Sequence, residues 1–279
     1  MPSGVNVVIY FLLAFALCWV GKLAYGLFHP RARVDKEVTA RDNLAFAVPL
    51  GAYYLGILIV VGAPLSGQSR GDLATDGLLV VAWGLLAIVL LNVSSLAMDY
   101  LVFRSVDLFE ETVAAGNVAA GIVLAGAHIA NALLVLGALA EEGGVLPAAA
   151  FWVFAQCLLA LAAVVFLRLV RYDLGTEIRR GNRAVALSVA GVLVAMGNVL
   201  RLAISGPFEG WGAGFAAAVA YALAGLALLF VARWLTDWLL LPGVTIRHEV
   251  LEQSVPNVGV GYLEALFYLG ASFVIGWSL

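Results

Sequence analysis

The sequence predicts an all-helical integral membrane protein with eight transmembrane helices. Of its 279 residues, 63% are hydrophobic and only 12% are charged, and the mean hydropathy is +1.03. A soluble globular domain is about 45–50% apolar and about 25% charged, so this composition excludes a water-soluble fold. The apolar segments are about 20 residues long or longer and show no alternation of polarity, which favours helices over the strands of a membrane barrel.

The eight segments follow one another along the chain, separated by short polar stretches. They are predicted over residues 5–28, 44–62, 77–103, 118–139, 147–170, 183–204, 212–241 and 258–277. Pro147 suits a first helical turn, where its missing N–H group costs nothing. Both cysteines, Cys18 and Cys157, fall inside predicted spans, which argues against a disulfide framework and against a metal site built on thiolates. The bulky Leu17 before Cys18 argues against a lipoprotein cleavage site, so the first segment is expected to stay as a span.

The distribution of Lys and Arg predicts the orientation in the membrane. Of the 15 Lys and Arg residues, 13 lie in or beside the loops that follow the odd-numbered segments. They are Lys22, Arg31, Arg33, Lys36, Arg41, Arg104, Arg168, Arg171, Arg179, Arg180, Arg183, Arg233 and Arg247. The opposite side has Arg70, with Arg201 near its edge. Cytoplasmic loops carry an excess of Lys and Arg, so we expect these loops in the cytoplasm and both termini outside it.

Matches at nearly constant spacing indicate a tandem duplication. Residues 15–18 (Phe-Ala-Leu-Cys) correspond to residues 154–157 (Phe-Ala-Gln-Cys), 139 positions later, and Asp99 corresponds to Asp237, 138 positions later. We therefore predict two four-helix membrane domains, 1–140 and 141–279, each made of two helical hairpins. Because each unit has an even number of spans, the two repeats are expected to be parallel, about an axis near the membrane normal.

A Glu followed by an Asn precedes every second predicted helix. The four occurrences are Glu37 with Asn43, Glu111 with Asn117, Glu177 with Asn182, and Glu252 with Asn257. Asn is a strong N-cap, because its side chain accepts hydrogen bonds from the first unpaired N–H groups of a helix. The alternative interpretation is that the four asparagines converge on an axis and line a cytoplasmic mouth.

Short motifs in the same helices resemble the YjfL-like family of bacterial inner-membrane proteins, a family grouped by a domain of unknown function. The resemblance is carried by residues 117–121 (Asn-Val-Ala-Ala-Gly) with Asn131 and Ala132, and by Asn43 with Ala45, Phe46, Gly51, Leu55 and Gly56. It implies a bacterial inner-membrane location and, since relatives usually have four spans, a fusion of two such units. Relatives are associated with envelope-stress proteins and with ATP-grasp or polyamine-modifying enzymes, but the resemblance brings no catalytic residues.

Ionisable residues within the spans are the candidates for a polar pathway. Asp99 and Asp237 lie at equivalent places about a turn from the cytoplasmic end, where Arg104 or Arg233 could pair with them instead. Glu264 lies about 10 Å into the last helix, and a carboxylate at that depth is presumptively functional. We expect His128 or Arg201 as its partner.

Two pairs of polar residues complete the pathway candidates. His128 and Asn131 share one helix face through their three-residue spacing, and Asn198 and Arg201 share another. The alternative for such residues is hydrogen bonding between helices, worth well under about 1 kcal/mol per contact.

No motif points to catalysis, a cofactor or a metal. The sequence has no phosphate-binding loop, no zinc-type spacing and no nucleophile elbow, and its net charge of −3 gives no basis for binding nucleic acid. Three function classes remain. The favoured one is a channel-like or transporter-like conductor of a cation, a proton or a small solute, and the alternative is a non-catalytic membrane scaffold that docks cytoplasmic or envelope-stress partners. A membrane-embedded enzyme is the least favoured class, because no nucleophile–base or metal constellation is present. Besides the lipid bilayer, a second copy of the chain and a cytoplasmic protein stay open as partners.

Overall fold

A computed structural model shows helices joined by turns and irregular segments, with no strand among the described residues. The described residues are 4–31, 33–66, 73–140, 144–205, 208, 210–241 and 243–278. The loop with Arg70 and the start of the second predicted domain at Glu141 lie outside this part of the chain.

Eight of the described helices are long and apolar enough to cross a membrane. They are α1 (Gly4–Phe28), α2 (Leu44–Ser66), α3 (Leu73–Leu101), α5 (Val118–Leu139), α6 (Val145–Val170), α8 (Arg183–Ile204), α9 (Trp211–Leu240) and α10 (Val258–Ser278). Large apolar side chains on these helices are exposed, for example Trp19, Leu161 and Trp238, as expected of surfaces that contact lipid. The chain is therefore a multi-pass membrane protein.

Four short helices connect these spans and were not predicted. They are the π-helices π1 (Lys36–Ala40) and π2 (His248–Glu252) and the α-helices α4 (Leu108–Val113) and α7 (Leu174–Arg179). Asp107 and Asp173 cap α4 and α7 by accepting hydrogen bonds from Glu110 N and Thr176 N at 3.0 and 3.2 Å. Segments of five or six residues are too short to show a helical period, so only these caps could have revealed them.

The long helices form two layers. In the inner row α2, α5, α8 and α10 lie side by side in that order. In the outer row α3 packs on α2 and α5, α6 on α5 and α8, and α9 on α8 and α10, while α1 packs on α2 and α3. The inner helices α5 and α8 are the most buried of these eight spans.

Glycines let the inner helices approach one another closely. A Cβ atom on Gly121 would come within 2.3 Å of Ala45 O, and one on Gly261 within 2.4 Å of Ala184 O. The facing backbone therefore leaves no room for a side chain at either glycine. Membrane helices have no hydrophobic driving force between them, and small residues at their interfaces let them pack closely. Gly51 of α2, by contrast, has no other described group within 4 Å of its Cβ direction.

Candidate functional site

The four asparagines that precede the inner helices cap those helices, as predicted. In each case the side-chain Oδ1 accepts a hydrogen bond from an N–H group in the first helical turn. Asn43, Asn117, Asn182 and Asn257 accept from Phe46, Ala119, Val185 and Val260 at 3.2, 3.1, 3.1 and 3.3 Å. These bonds satisfy N–H groups that a helix leaves unpaired at its start.

The same asparagines hold a glutamate from the preceding short helix. Asn43, Asn117, Asn182 and Asn257 donate through Nδ2 to Glu37, Glu111, Glu177 and Glu249 at 3.1, 3.0, 2.7 and 2.8 Å. Each asparagine N–H also donates to the backbone carbonyl of that glutamate, at 2.8–3.0 Å. We call these four pairs the Glu–Asn clamps. Each clamp fixes a short helix against the start of an inner helix.

Three clamps also link the start of one inner helix to the short helix that precedes the next inner helix, so we call each short helix with its clamp and its inner helix a unit. Asn43 Nδ2 donates to Thr112 O at 2.9 Å, Asn117 Nδ2 to Ile178 O at 2.6 Å, and Asn182 Nδ2 to Val250 O at 2.8 Å. Each acceptor directly follows the glutamate of the next clamp. The clamps therefore form one continuous chain of hydrogen bonds along a single end of the inner row, which we call the clamp end.

In the fourth unit, the glutamate held by Asn257 is not Glu252 of the sequence motif. Glu249 holds Asn257, while Glu252 accepts from Arg247 at 3.1 Å and contacts His248 at 3.4 Å. The loop of this unit is longer than its counterparts, so the glutamate that reaches the asparagine lies further back in the chain.

The clamp asparagines lie along a row, with α2 and α10 at its two ends. Asn182, in the middle, is buried, whereas Asn257, at one end, is exposed. Their side chains point to helix starts, glutamates and carbonyls. This geometry supports capping and linkage rather than a ring of side chains around an opening.

Two polar clefts open at the clamp end. One of about 400 Å³ lies between the third and fourth clamps, and its lining includes Arg180, Arg183, Gln253 and Val255. The other, of about 300 Å³, lies beside the second clamp, and its lining includes Asn117, Arg180 and Arg183. The two clefts therefore share an arginine-bearing border.

The arginines of this border are exposed but partly fixed. Arg180 pairs with Glu177 at 3.2 Å, and Arg179 donates to Ser105 O at 3.0 Å. The nearby Asp173 accepts hydrogen bonds from the hydroxyl and the N–H group of Thr176, which hold the pKa of its carboxyl below the usual range. Fixed cations beside the N-terminus of α8 give the border a positive character.

Within the long helices, Glu264 forms its salt bridge with Arg233, not with His128 or Arg201 as predicted. Arg233 Nη1 donates to Glu264 Oε1, and Tyr268 donates to the same oxygen at 2.5 Å. Glu264 is fully buried. Arg201 lies 19 residues beyond its clamp asparagine and Glu264 only seven, so about 18 Å of helix separates their levels.

Tyr172 completes the surroundings of this ion pair. Arg233 Nη2 donates to the Tyr172 hydroxyl at 3.1 Å, and the guanidinium carbon lies 5.6 Å from the ring centroid. None of Arg233, Tyr268 and Tyr172 was predicted as a neighbour of Glu264. Tyr268, four residues later on the same helix face, was the available signal.

The equivalent aspartates Asp99 and Asp237 have different surroundings. Asp237 accepts a hydrogen bond from Ile246 N at 2.6 Å, so it holds the loop after α9 and does not pair with Arg233. Asp99 makes no hydrogen bond or ion pair within the described part of the chain, and Arg104 lies over the Tyr100 ring at 5.2 Å instead. Neither aspartate therefore forms the alternative ion pair with its neighbouring arginine within the described residues.

The remaining candidates are separate from Glu264. Arg201 donates to Asn198 Oδ1 through Nε and Nη2 at 3.2 and 3.1 Å, so these two residues share a face as predicted, and Asn198 donates to Ser272 at 3.2 Å. His128 and Asn131 are buried in α5, and Asn131 has no hydrogen-bond partner among the described residues. The structure therefore divides the pathway candidates into small separate groups.

These features define the chain as a multi-pass membrane protein in which one clamp unit occurs four times. The family model described as Domain of Unknown Function (DUF350) matches it twice, over residues 1–139 and 141–279. The chain belongs to this family and contains a tandem duplication of its domain. Comparisons with curated proteins and with solved structures give no match.

Proposed function

We propose that this protein is a non-enzymatic membrane scaffold whose clamp end docks a protein partner. The observation that carries the proposal is the continuous chain of hydrogen bonds through the clamps, from Asn43 to Val250. It gives the clamp end one rigid surface built from four units. A rigid, pre-organised surface lowers the entropic cost of binding.

The proposed orientation puts the clamp end in the cytoplasm. The loops at this end, with the helix ends beside them, hold 13 of the 15 Lys and Arg residues, which is the distribution expected of the cytoplasmic side. Both termini then lie outside the cytoplasm, and the two halves are parallel repeats. A bacterial inner membrane fits the family resemblance.

The clefts favour an acidic partner segment. Arg183 is exposed in the border between them and forms no ion pair within the described residues. A carboxylate entering either cleft would meet this guanidinium and the N-terminus of α8, and both favour negative charge.

Site-specific photo-cross-linking in intact cells tests the scaffold. A photoreactive residue at Val255, which lines the larger cleft and is 76% exposed, should yield one discrete protein adduct. The adduct should be lost with Arg183→Glu and kept with Arg31→Glu, a matched charge reversal at the same end. The same adducts from a photoreactive residue at Val145, at the opposite ends of the helices, would refute docking at the clefts.

Conduction of a proton or small cation is the second candidate. Ionisable groups within a membrane are costly and are therefore presumed functional, and Arg233 and Glu264 form such a pair with side chains 12% and 0% exposed. Glu264 Oε2 has no hydrogen-bond partner among the described residues. A conductor requires flux in proteoliposomes that Glu264→Gln abolishes.

A further inference from the structure

The seam between neighbouring inner helices is built in the same way along the row. The residue two positions after one clamp asparagine meets the residue four positions after the next, as Ala45 meets Gly121 and Ala184 meets Gly261. Further along, a Cβ atom on Gly126 would come within 2.6 Å of Ala190 Cα.

The same positions recur at the later seams. A Cβ atom on Gly191 would come within 2.5 Å of Ala265 Cα, nine and eight positions after their asparagines. One on Gly197 would come within 2.8 Å of Ala130 Cα, 15 and 13 positions after theirs. We number positions from the clamp asparagine of each inner helix. Positions 2, 9 and 13 then form a leading face, which meets the trailing face of the next inner helix, formed by its positions 4, 8 and 15.

No further inner helix packs on the leading face of α10 within the described structure. Its residues are Gly259, Leu266 and Gly270, and all three are exposed. A Cβ atom on Gly270 would have no described neighbour within 4 Å, and one on Gly259 would meet only Asn257. The clamp of Asn257 is also open, because no described carbonyl of a further unit accepts from its Nδ2.

The complementary half of the seam is present on α2. Its trailing face has Ala47, Gly51 and Leu58, and Gly51 is exposed with no described group within 4 Å of its Cβ direction. Val38 directly follows Glu37. Its carbonyl is therefore the counterpart of the Thr112, Ile178 and Val250 carbonyls that accept from the other clamps.

The outer row is open at the same two ends. Each of α3, α6 and α9 covers a seam between two inner helices, whereas α1 packs on α2 without a second inner helix. Its span is only 11% buried. A groove of about 720 Å³ runs between α9 and α10, with Leu239, Leu263 and Gly270 in its lining. It lies where the outer helix of a following unit would pack.

We propose that copies of this chain associate head to tail and continue the two-layer row. The leading face of α10 meets the trailing face of α2 in a second copy, and α1 of that copy fills the groove between α9 and α10. Asn257 then donates to the carbonyl of Val38 in the second copy. Such a contact uses two different surfaces, so it produces a closed ring or an open filament. This inference does not depend on the docking of a partner in the clefts.

Disulfide cross-linking between two tagged copies of the full chain in membranes tests the register. Both native cysteines are first replaced by alanine; one copy then carries Gly51→Cys and the other Leu266→Cys. These positions correspond to Ala190 and Gly126 in the internal seam. We expect a disulfide-linked product with both tags when the variants are mixed, and none when Gly51→Cys is mixed with Leu161→Cys. No product above that control, or equal self-linking of each single variant, would overturn the head-to-tail arrangement.

Native mass spectrometry gives a second test that needs no cross-link. The wild type should exceed the 29.3 kDa mass of one chain, whereas Gly270→Trp should be monomeric and the matched lipid-facing change Leu161→Trp should not. A Cβ atom on Gly270 would meet no described group within 4 Å, and an unchanged melting temperature would show that the monomer still folds. A monomeric wild type, or a folded Gly270→Trp variant that keeps the wild-type mass, would contradict the proposal.

Discussion

The clamp end and the polar groups among the spans are organised in different ways. At the clamp end one pattern of Glu, Asn and helix cap occurs four times. Among the spans, Arg233 and Glu264 form a buried ion pair, while the corresponding places in the first half hold Ser95 and Leu124. A feature present in every unit serves the assembly of units, whereas a feature present in one half serves that half alone.

The largest expected effect comes from breaking the ion pair between Arg233 and Glu264, which occurs in the second half alone. Glu264→Ala leaves the Arg233 side chain, which is only 12% exposed, without its counter-charge, and removal of one partner of a buried pair costs about 3–5 kcal/mol. The double variant Arg233→Leu/Glu264→Leu should recover much of this loss, because both charges are then gone. Reversible unfolding in detergent measures each free energy. A double variant less stable than Glu264→Ala would contradict this interpretation.

The next effect compares a clamp inside the row with the clamp at its end. Asn182→Ala removes the cap, the bond to the buried Glu177 and the link to Val250, and should cost about 2–3 kcal/mol. Asn257→Ala removes the cap and the bond to Glu249 at an exposed site, and should cost about 1 kcal/mol. Equal losses of unfolding free energy would show that the link between units contributes nothing.

Glycines inside and outside the seams should also differ. Gly121→Ala places a methyl group against Ala45 O and should destabilise by about 1–3 kcal/mol through overpacking. Gly51→Ala meets nothing described and should stabilise the monomer by up to about 1 kcal/mol through helix propensity. Thermal unfolding of the two variants in detergent compares them, and a stable Gly121→Ala protein would contradict the close approach of α2 and α5.

A buried polar group outside the clamps should be nearly dispensable. Asn131 has no hydrogen-bond partner among the described residues, so Asn131→Leu removes unsatisfied polar atoms at similar volume. We expect a change within about 1 kcal/mol, or a gain in stability. A loss as large as that of Asn182→Ala, measured in the same unfolding assay, would reveal a role for Asn131.

The smallest effect depends on pH. Hydrogen bonds from Thr176 lower the pKa of Asp173 from its ordinary 3.8, so its contribution to stability is present at neutral pH and is lost as the pH falls through the lowered pKa. The melting temperature of Asp173→Ala should lie slightly below that of the wild type at pH 7, and the gap should narrow below about pH 4. A difference in melting temperature that grows on acidification would contradict a stabilising contribution from the ionised Asp173 carboxylate.

The spans were predictable because a bilayer requires long apolar helices, which are visible in the sequence. For α5 and α8 the predicted bounds are those of the structure. The caps were predictable for Asn43 and its counterparts because capping is local in sequence. The partner of Glu264 was not, since it depends on how α9 packs against α10. The hydrogen bond from Asn117 to Ile178 O likewise joins segments that are far apart in the sequence, so no local sequence pattern predicts it.

Flux in proteoliposomes tests most directly whether the groups among the spans only hold the helices together. The wild type, Glu264→Gln and Asp99→Asn/Asp237→Asn are compared with empty liposomes under a gradient of protons or monovalent cations. If the protein is a scaffold, all four samples should show the same flux. A wild-type flux above that of empty liposomes, abolished by Glu264→Gln, would contradict the scaffold and establish conduction.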